Sequence, residues 1–298
     1  MSADERIEDF LDEAFLRKLE MLKVLARRGV KGPLRGRHPA VRTGASLEFL
    51  DYRNYQPGDD LRYVDWNAYG RLDRLFLKLF REEEDLTVHL LLDMSLSMAF
   101  GTPRKSTYAK RVAASVGYIA LANLDRVGIT SFSDSLGDSL SPVRGKHQYL
   151  TLLRYLVGVE PSGKTRFNGC CRQYASLCKR PGAAVVITDL LDPEGFMEGL
   201  DALRYRKFDI SLIQVLDPLE RHPSLEGYLR LREVETGEMR RLVVDGALQE
   251  HYVRSFEGFL GRIRDYCRHY GIDYHLAETA VAFEDFLMEY VRQGTFFH

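Results

Sequence analysis

Leu86-Thr87-Val88-His89-Leu90-Leu91-Leu92-Asp93-Met94-Ser95-Leu96-Ser97 is a nearly continuous apolar run, interrupted by Thr87 and His89 and closed by an aspartate and two serines. A run of this length that does not alternate reads as a parallel strand buried on both faces. His89, inside it, reads as a hydrogen-bonded core histidine. Downstream the pattern repeats. Residues 105–123 have helical spacing, with Ala109, Val112, Val116 and Ile119 on one face. Val127–Phe132 is a second strand, Tyr149–Val157 a helix, and 167–179 another helix. Ala183–Thr188 is a third buried strand that again ends at an aspartate, Asp189. Residues 195–206 read as helix, Asp209–Leu216 as strand, 247–269 as helix, Ile272–Leu276 as strand and Phe283–Arg292 as helix. Strands alternating with helices predict an α/β fold with a mostly parallel central sheet. Tyr228–Val234 and Met239–Val244 flank Glu235-Thr236-Gly237-Glu238, which predicts a hairpin inserted at about 217–245.

Upstream, the sequence predicts a separate segment, residues 1–85, packed on a main domain of residues 86–298. Ile7, Leu11, Phe15, Leu19, Leu22 and Ala26 mark one face of an N-terminal helix that Gly29, Gly32 and Pro33 end. Arg17–Arg42 holds nine Lys or Arg against one acid, Glu20, and reads as a solvated face or as a contact for an acidic partner or phosphate. Residues 47–85 carry short β pieces around the turn Gln56-Pro57-Gly58-Asp59-Asp60, with Trp66 beyond it. Asp59, Asp60 and Asp65 read as solvated loop acids.

Composition narrows the function classes. The 298 residues are 45% hydrophobic and 29% charged, with 42 basic and 43 acidic side chains, so no global field draws in nucleic acid or an anionic membrane. No apolar run reaches the ~20 residues of a membrane helix. Met1-Ser2-Ala3-Asp4-Glu5-Arg6 lacks the basic start and apolar stretch of a signal peptide. The four cysteines, Cys170, Cys171, Cys178 and Cys267, have no C-x-x-C spacing and read as reduced, mostly core, thiols. These features point to the cytoplasm. No nucleophile elbow or H-E-x-x-H motif is present, and no base can be named, so the chain does not read as an enzyme.

Ligand sites in parallel α/β sheets lie beyond the carboxyl ends of the strands. Asp93, Ser95 and Ser97 can aim three oxygens into one strand-end loop, Thr165 can add a hydroxyl from a second, and Asp189 a carboxylate from a third. Such a set of hard oxygen donors suits Mg²⁺ or Mn²⁺ with a vacant position. Helix capping is the alternative use for each serine taken alone. A competing pattern overlaps this one. Gly158–Thr165 fits G-x-x-x-x-G-K-[ST], which would make the chain a P-loop NTPase with Lys164 on phosphate and Asp189 near Mg²⁺. Helical spacing before it and Pro161 within it argue against that reading.

Asp93-x-Ser95-x-Ser97 with Thr165 and Asp189 resembles the metal-ion-dependent adhesion site of von Willebrand factor A domains, a Rossmann-like fold. The resemblance implies that these five residues hold the metal and that an acidic side chain of a protein partner completes it. Ser162-Gly163-Lys164-Thr165 departs from the usual Gly-Gly-x-Thr. Tyr52-x-x-Tyr55-Gln56-Pro57-Gly58-Asp59-Asp60, then Asp65-Trp66 and Arg81-Glu82-Glu83, resembles the bacterial domain-of-unknown-function family 58 over roughly residues 40–298. That family joins such a segment to a von Willebrand A-like domain, and its members are associated with MoxR-type AAA+ ATPases as adaptors or co-chaperones. The implied function is metal-dependent protein binding.

Overall fold

A computed structural model of the chain describes residues 47–82 and 86–293, which fall into two compact units. The expected N-terminal helix and the basic stretch Arg17–Arg42 lie outside the described residues.

In the smaller unit, β1 (Leu47–Asn54) pairs antiparallel with β2 (Phe76–Glu82) through a bulge between Phe49 and Asp51. The connection is more ordered than its polar sequence suggests. It contains a turn at Gly58 (φ +106°), a single 3₁₀ turn at Leu61–Tyr63 and the helix α1 (Trp66–Leu72). The three loop acids, expected to be solvated, each have a specific partner. Asp59 takes both nitrogens of the Arg53 fork at 2.7 and 2.6 Å, and Asp60 pairs with Arg62 while capping the 3₁₀ turn. Asp65 caps α1 through the Asn67 and Ala68 N–H groups and accepts the Tyr52 hydroxyl at 2.8 Å. The Tyr52 hydroxyl, the Ala68 N–H and Lys78 hold the Asp65 carboxyl at about 2.

The larger unit is a six-stranded sheet in the order β10-β7-β6-β3-β4-β5. Its strands are β3 (Thr87–Asp93), β4 (Arg126–Phe132), β5 (Leu136–Arg144), β6 (Ala183–Thr188), β7 (Asp209–Leu216) and β10 (Asp273–Glu278). All neighbours are parallel except β4 and β5. β5 escaped the sequence reading because it is an edge strand whose residues are exposed or half-buried, so burial leaves no apolar run in it.

Helices cover both faces. On one side α2 (Lys105–Ala122), α3 (Tyr149–Gly158) and α8 (Phe283–Gln293) pack with Leu90, Leu92, Val185 and Ile187. On the other, α4 (Phe167–Leu177), α5 (Met197–Tyr205) and α7 (Gly246–Tyr270) pack with Leu91, Ala184, Val186 and Leu212. Alternate residues of β3 and β6 thus feed opposite cores, which is why their sequences do not alternate. A short helix, α6 (Pro218–Arg221), follows β7, and the expected hairpin is present as β8 (Gly227–Arg232) and β9 (Met239–Val244). His89 is buried and bonded through both ring nitrogens, to the Tyr174 hydroxyl at 2.7 Å and the Arg180 carbonyl at 3.2 Å. Cys170 and Cys171 are core residues, and Cys178, at the end of α4, packs partly buried against the same core.

Chain order reverses between β3 and β6: β4 and β5 build outward on one side of β3, and β6, β7 and β10 on the other. This is the switch point at which open α/β sheets leave a crevice for ligands. Register fixes it, since Leu92 is opposite Ile187, and Asp93 and Thr188 follow in step. The approach of the two strands depends on Gly182, where an added Cβ would fall 2.2 Å from the Thr87 carbonyl oxygen. Gly182→Ala should therefore lower stability by about 1–3 kcal/mol, the usual cost of forcing atoms into a packed interior. A urea melt reads this as a lower midpoint; an unchanged midpoint would show that the strand pair is not so constrained.

Candidate metal and carboxylate site

The residues after β3 turn immediately, and Asp93 organises the turn by accepting the Ser95 N–H at 2.9 Å. Its other oxygen accepts the Thr188 hydroxyl at 2.6 Å from the end of β6. The Ser95 and Ser97 hydroxyls are 3.0 Å apart, and Ser97 donates to Asp189 at 2.7 Å. Four of the five sequence-derived residues, Asp93, Ser95, Ser97 and Asp189, are thereby joined in one hydrogen-bonded chain. Asp93, Ser95 and Asp189 have no solvent exposure.

Thr165 comes close by a different route. Its loop is stitched to the β3 turn by the backbone, Ser162 N–H to the Met94 carbonyl at 2.7 Å and Leu96 N–H to the Gly163 carbonyl at 3.1 Å. Its hydroxyl, however, donates to Glu235 of the inserted hairpin at 2.7 Å, and its N–H to the other oxygen of the same carboxylate at 3.1 Å.

Glu235 and Thr188 were not found from sequence, nor were two further charged residues of the site. Lys105, the first residue of α2, is completely buried, and its ammonium lies 2.7 Å from Asp189 and 2.5 Å from Glu220. Glu220 is placed by a capping box: Asp217 at the end of β7 caps α6, and Glu220 reaches back to the Asp217 N–H at 2.9 Å. Neither residue carries a local sequence signal of this role; only the fold buries the lysine that opens α2.

The electrostatics follow from burial. Burial first, and the Asp189 charge second, push the Asp93 carboxyl up to about 7 against the hydrogen bonds from Thr188 and Ser95. Burial alone would lower the Lys105 ammonium, but the Asp189 and Glu220 carboxylates outweigh it and leave Lys105 raised. Burial raises Glu220 despite its lysine. Fully ionised, the cluster of Asp93, Asp189 and Glu220 against Lys105 carries two more negative charges than positive. A divalent cation fits that excess, and hydroxyl and carboxylate oxygens are the donors Mg²⁺ and Mn²⁺ take. No three His, Cys, Asp or Glu side chains converge on a metal position among the described residues, so an ion here would lean on the hydroxyls.

The phosphate-loop alternative fails on its surroundings. Gly158–Thr165 joins α3 to α4, with no strand leading into it, and Lys164 points to solvent while Asp189 is engaged by Lys105. A loop that cradles phosphate leaves a strand and enters a helix.

An α/β domain with an Asp-x-Ser-x-Ser turn at the switch point defines a von Willebrand factor A-like protein. The chain belongs to the family described as Protein of unknown function DUF58, whose model matches residues 51–257. An uncharacterized protein of Mycobacterium bovis is 27% identical over 253 residues, 83% of this chain and 79% of the relative. Among solved structures, BatB from Bacteroides thetaiotaomicron is similar at 18% identity and a TM-score of 0.45, covering 68% of this chain and 96% of that one. An aerotolerance-related membrane protein from Bacteroides fragilis is similar at 17% identity and a TM-score of 0.44, covering 70% and 97%. Among the described residues, no helix is long and apolar enough to cross a membrane.

Two outcomes follow from the buried charges. Lys105→Met leaves Asp189 and Glu220 uncompensated and should cost about 3–5 kcal/mol in a chemical melt; a loss under 1 kcal/mol would mean the ammonium behaves as a surface charge. Asp93 binds its proton more tightly folded, near pH 7, than unfolded, near 3.8. Its contribution to stability is therefore full below about pH 4 and lost as pH rises toward 7. Thermal melts in chelator should decline across that window, and Asp93→Asn should flatten the decline; an identical slope in the variant would assign it to another group.

Proposed function

We propose that this chain is a metal-dependent protein-binding module, working in the cytoplasm as an adaptor or co-chaperone partner of a MoxR-type AAA+ ATPase. The observation that supports it is the buried, hydroxyl-lined carboxylate cluster at the strand switch point, which carries two excess negative charges when fully ionised. Asp93, Ser95, Ser97 and Asp189 would hold Mg²⁺ or Mn²⁺, with Thr165 at the edge. Bound, the ion would supply positive charge to which a partner's Asp or Glu is drawn. The ATPase is suggested by the family resemblance.

The chain's own residues set up this role without bond chemistry. Thr188 and the Ser95 N–H fix both oxygens of Asp93. Ser97 and Lys105 fix one oxygen of Asp189, and the Leu191 N–H fixes the other at 3.0 Å. Lys105 removes part of the negative charge that Asp189 would otherwise bring. With Asp189 shared with Lys105 and two of the four donors hydroxyls, the ion would keep a coordination place for a carboxylate from outside.

Mg²⁺ should raise stability by mass action, about 2.7 kcal/mol at a hundred times its dissociation constant. Melts with Mg²⁺ and with EDTA measure this, and Asp93→Ala should abolish the difference. Equal melting temperatures in the unmodified chain would mean that no ion binds. Affinity for the ATPase should require Mg²⁺ or Mn²⁺ and should fall when Ser95→Ala and Ser97→Ala are combined. Affinity unchanged by EDTA and by both substitutions would remove the metal bridge from the mechanism.

A further inference from the structure

The inserted hairpin has a tip with three acids, and they are used differently. Glu233 accepts the Thr236 hydroxyl within the tip, and Glu238 pairs with Arg240 at 3.3 Å. Glu235 alone turns away from the hairpin, and both of its oxygens are on Thr165, one on the hydroxyl and one on the N–H. Gly237, in the left-handed region at φ +73°, lets the tip bend, and its N–H bonds the Glu233 carbonyl at 2.9 Å.

This contact spans 70 residues of sequence and joins an exposed element to a buried threonine of the candidate site. Every residue of β8 and β9 except Leu229, Leu242 and Val244 is exposed. A two-stranded ribbon of that kind is marginal by itself, so its tip contact weighs heavily in where it rests. No lysine or arginine pairs with Glu235 among the described residues. The carboxylate is held by one neutral hydroxyl and one backbone N–H, an arrangement that another carboxylate reproduces at little cost.

We propose that the Thr165 end of the site is a carboxylate-accepting pocket, occupied in this structure by the chain's own Glu235, and that the hairpin is a latch which an acidic segment of a partner displaces. The partner side of this inference rests on the reading of the strand-end site as a face that binds acidic side chains; the pocket itself rests on the Glu235 contact. The chemistry of the ligand is that of Glu235: a glutamate at a turn, flanked by short extended strands.

Hydrogen exchange on the full chain tests it, with the unmodified protein compared with Glu235→Ala. Loss of the latch should speed exchange about tenfold at Thr165 and through residues 227–244, the effect of losing roughly 1.4 kcal/mol of local protection, while β6 stays protected. A synthetic peptide of residues 231–240 added to Glu235→Ala should restore protection around Thr165, and the same peptide with Gln in place of Glu235 should not. Unchanged exchange in Glu235→Ala, restoration by both peptides, or restoration by neither would each overturn the pocket. The experiment runs in EDTA and again in Mg²⁺, beside the melting shift. A Mg²⁺ shift with unchanged exchange removes the latch and leaves the metal reading. Released exchange with no Mg²⁺ shift removes the metal reading and leaves the pocket.

Discussion

A single buried ammonium ties the functional end of the sheet together. Lys105 stands at the start of α2, completely buried, between a carboxylate at the end of β6 and another in the cap that follows β7. Each of those charges alone would cost several kcal/mol to keep from water. Held together, they fix the turn after β3, the end of β6 and the α6 cap against one another. The serines of the β3 turn are therefore presented by a rigid frame, and the Asp93–Asp189 pair is kept close despite its mutual repulsion. Lys105 only partly neutralises the acids around it, and the remaining negative charge is what gives a divalent ion a place.

The two units use acidic residues in contrasting ways. In the smaller one, Asp59, Asp60 and Asp65 each meet an arginine, a lysine, a tyrosine or free helix N–H groups within a few residues to a strand's width. Those acids stabilise a compact β-turn-helix-β connection, and the polar signature from Tyr52 to Asp65 reads as the internal wiring of that connection. In the larger unit the acids come from separate strand ends and face one another, so their charges add instead of cancelling. Local pairing marks a structural role; convergence from distant segments, with burial, marks a site.

The order of the strands explains the position of the convergence. β3 lies between strands built outward in opposite directions, so the segments after β3 and β6 meet at the switch point of the sheet, the place where α/β folds put their ligand sites. Asp93 and Thr188 follow the last paired residues of β3 and β6, and Asp189 is the first residue past β6. The Thr165 loop closes one flank through backbone bonds to Met94 and Leu96, and the hairpin reaches that flank from a separate insertion.

The order of residues alone specifies the parallel α/β core, because burial on both faces of β3 and β6 forces unbroken apolar runs whose ends are marked by Asp93 and Asp189. It also determined the Ser95 and Ser97 positions, since a two-residue spacing after the aspartate keeps all three side chains in one turn. It missed β5 and α1, where exposure removes the apolar periodicity that would announce them. It could not supply Lys105, Glu220 or Glu235 either. Their partners lie 84, 115 and 70 residues away, and each residue type is ordinary in its own neighbourhood. Only the folded sheet, by bringing the ends of β3, β6 and β7 within hydrogen-bonding distance in a dry interior, decided that one lysine serves two acids and that a hairpin glutamate rests on Thr165.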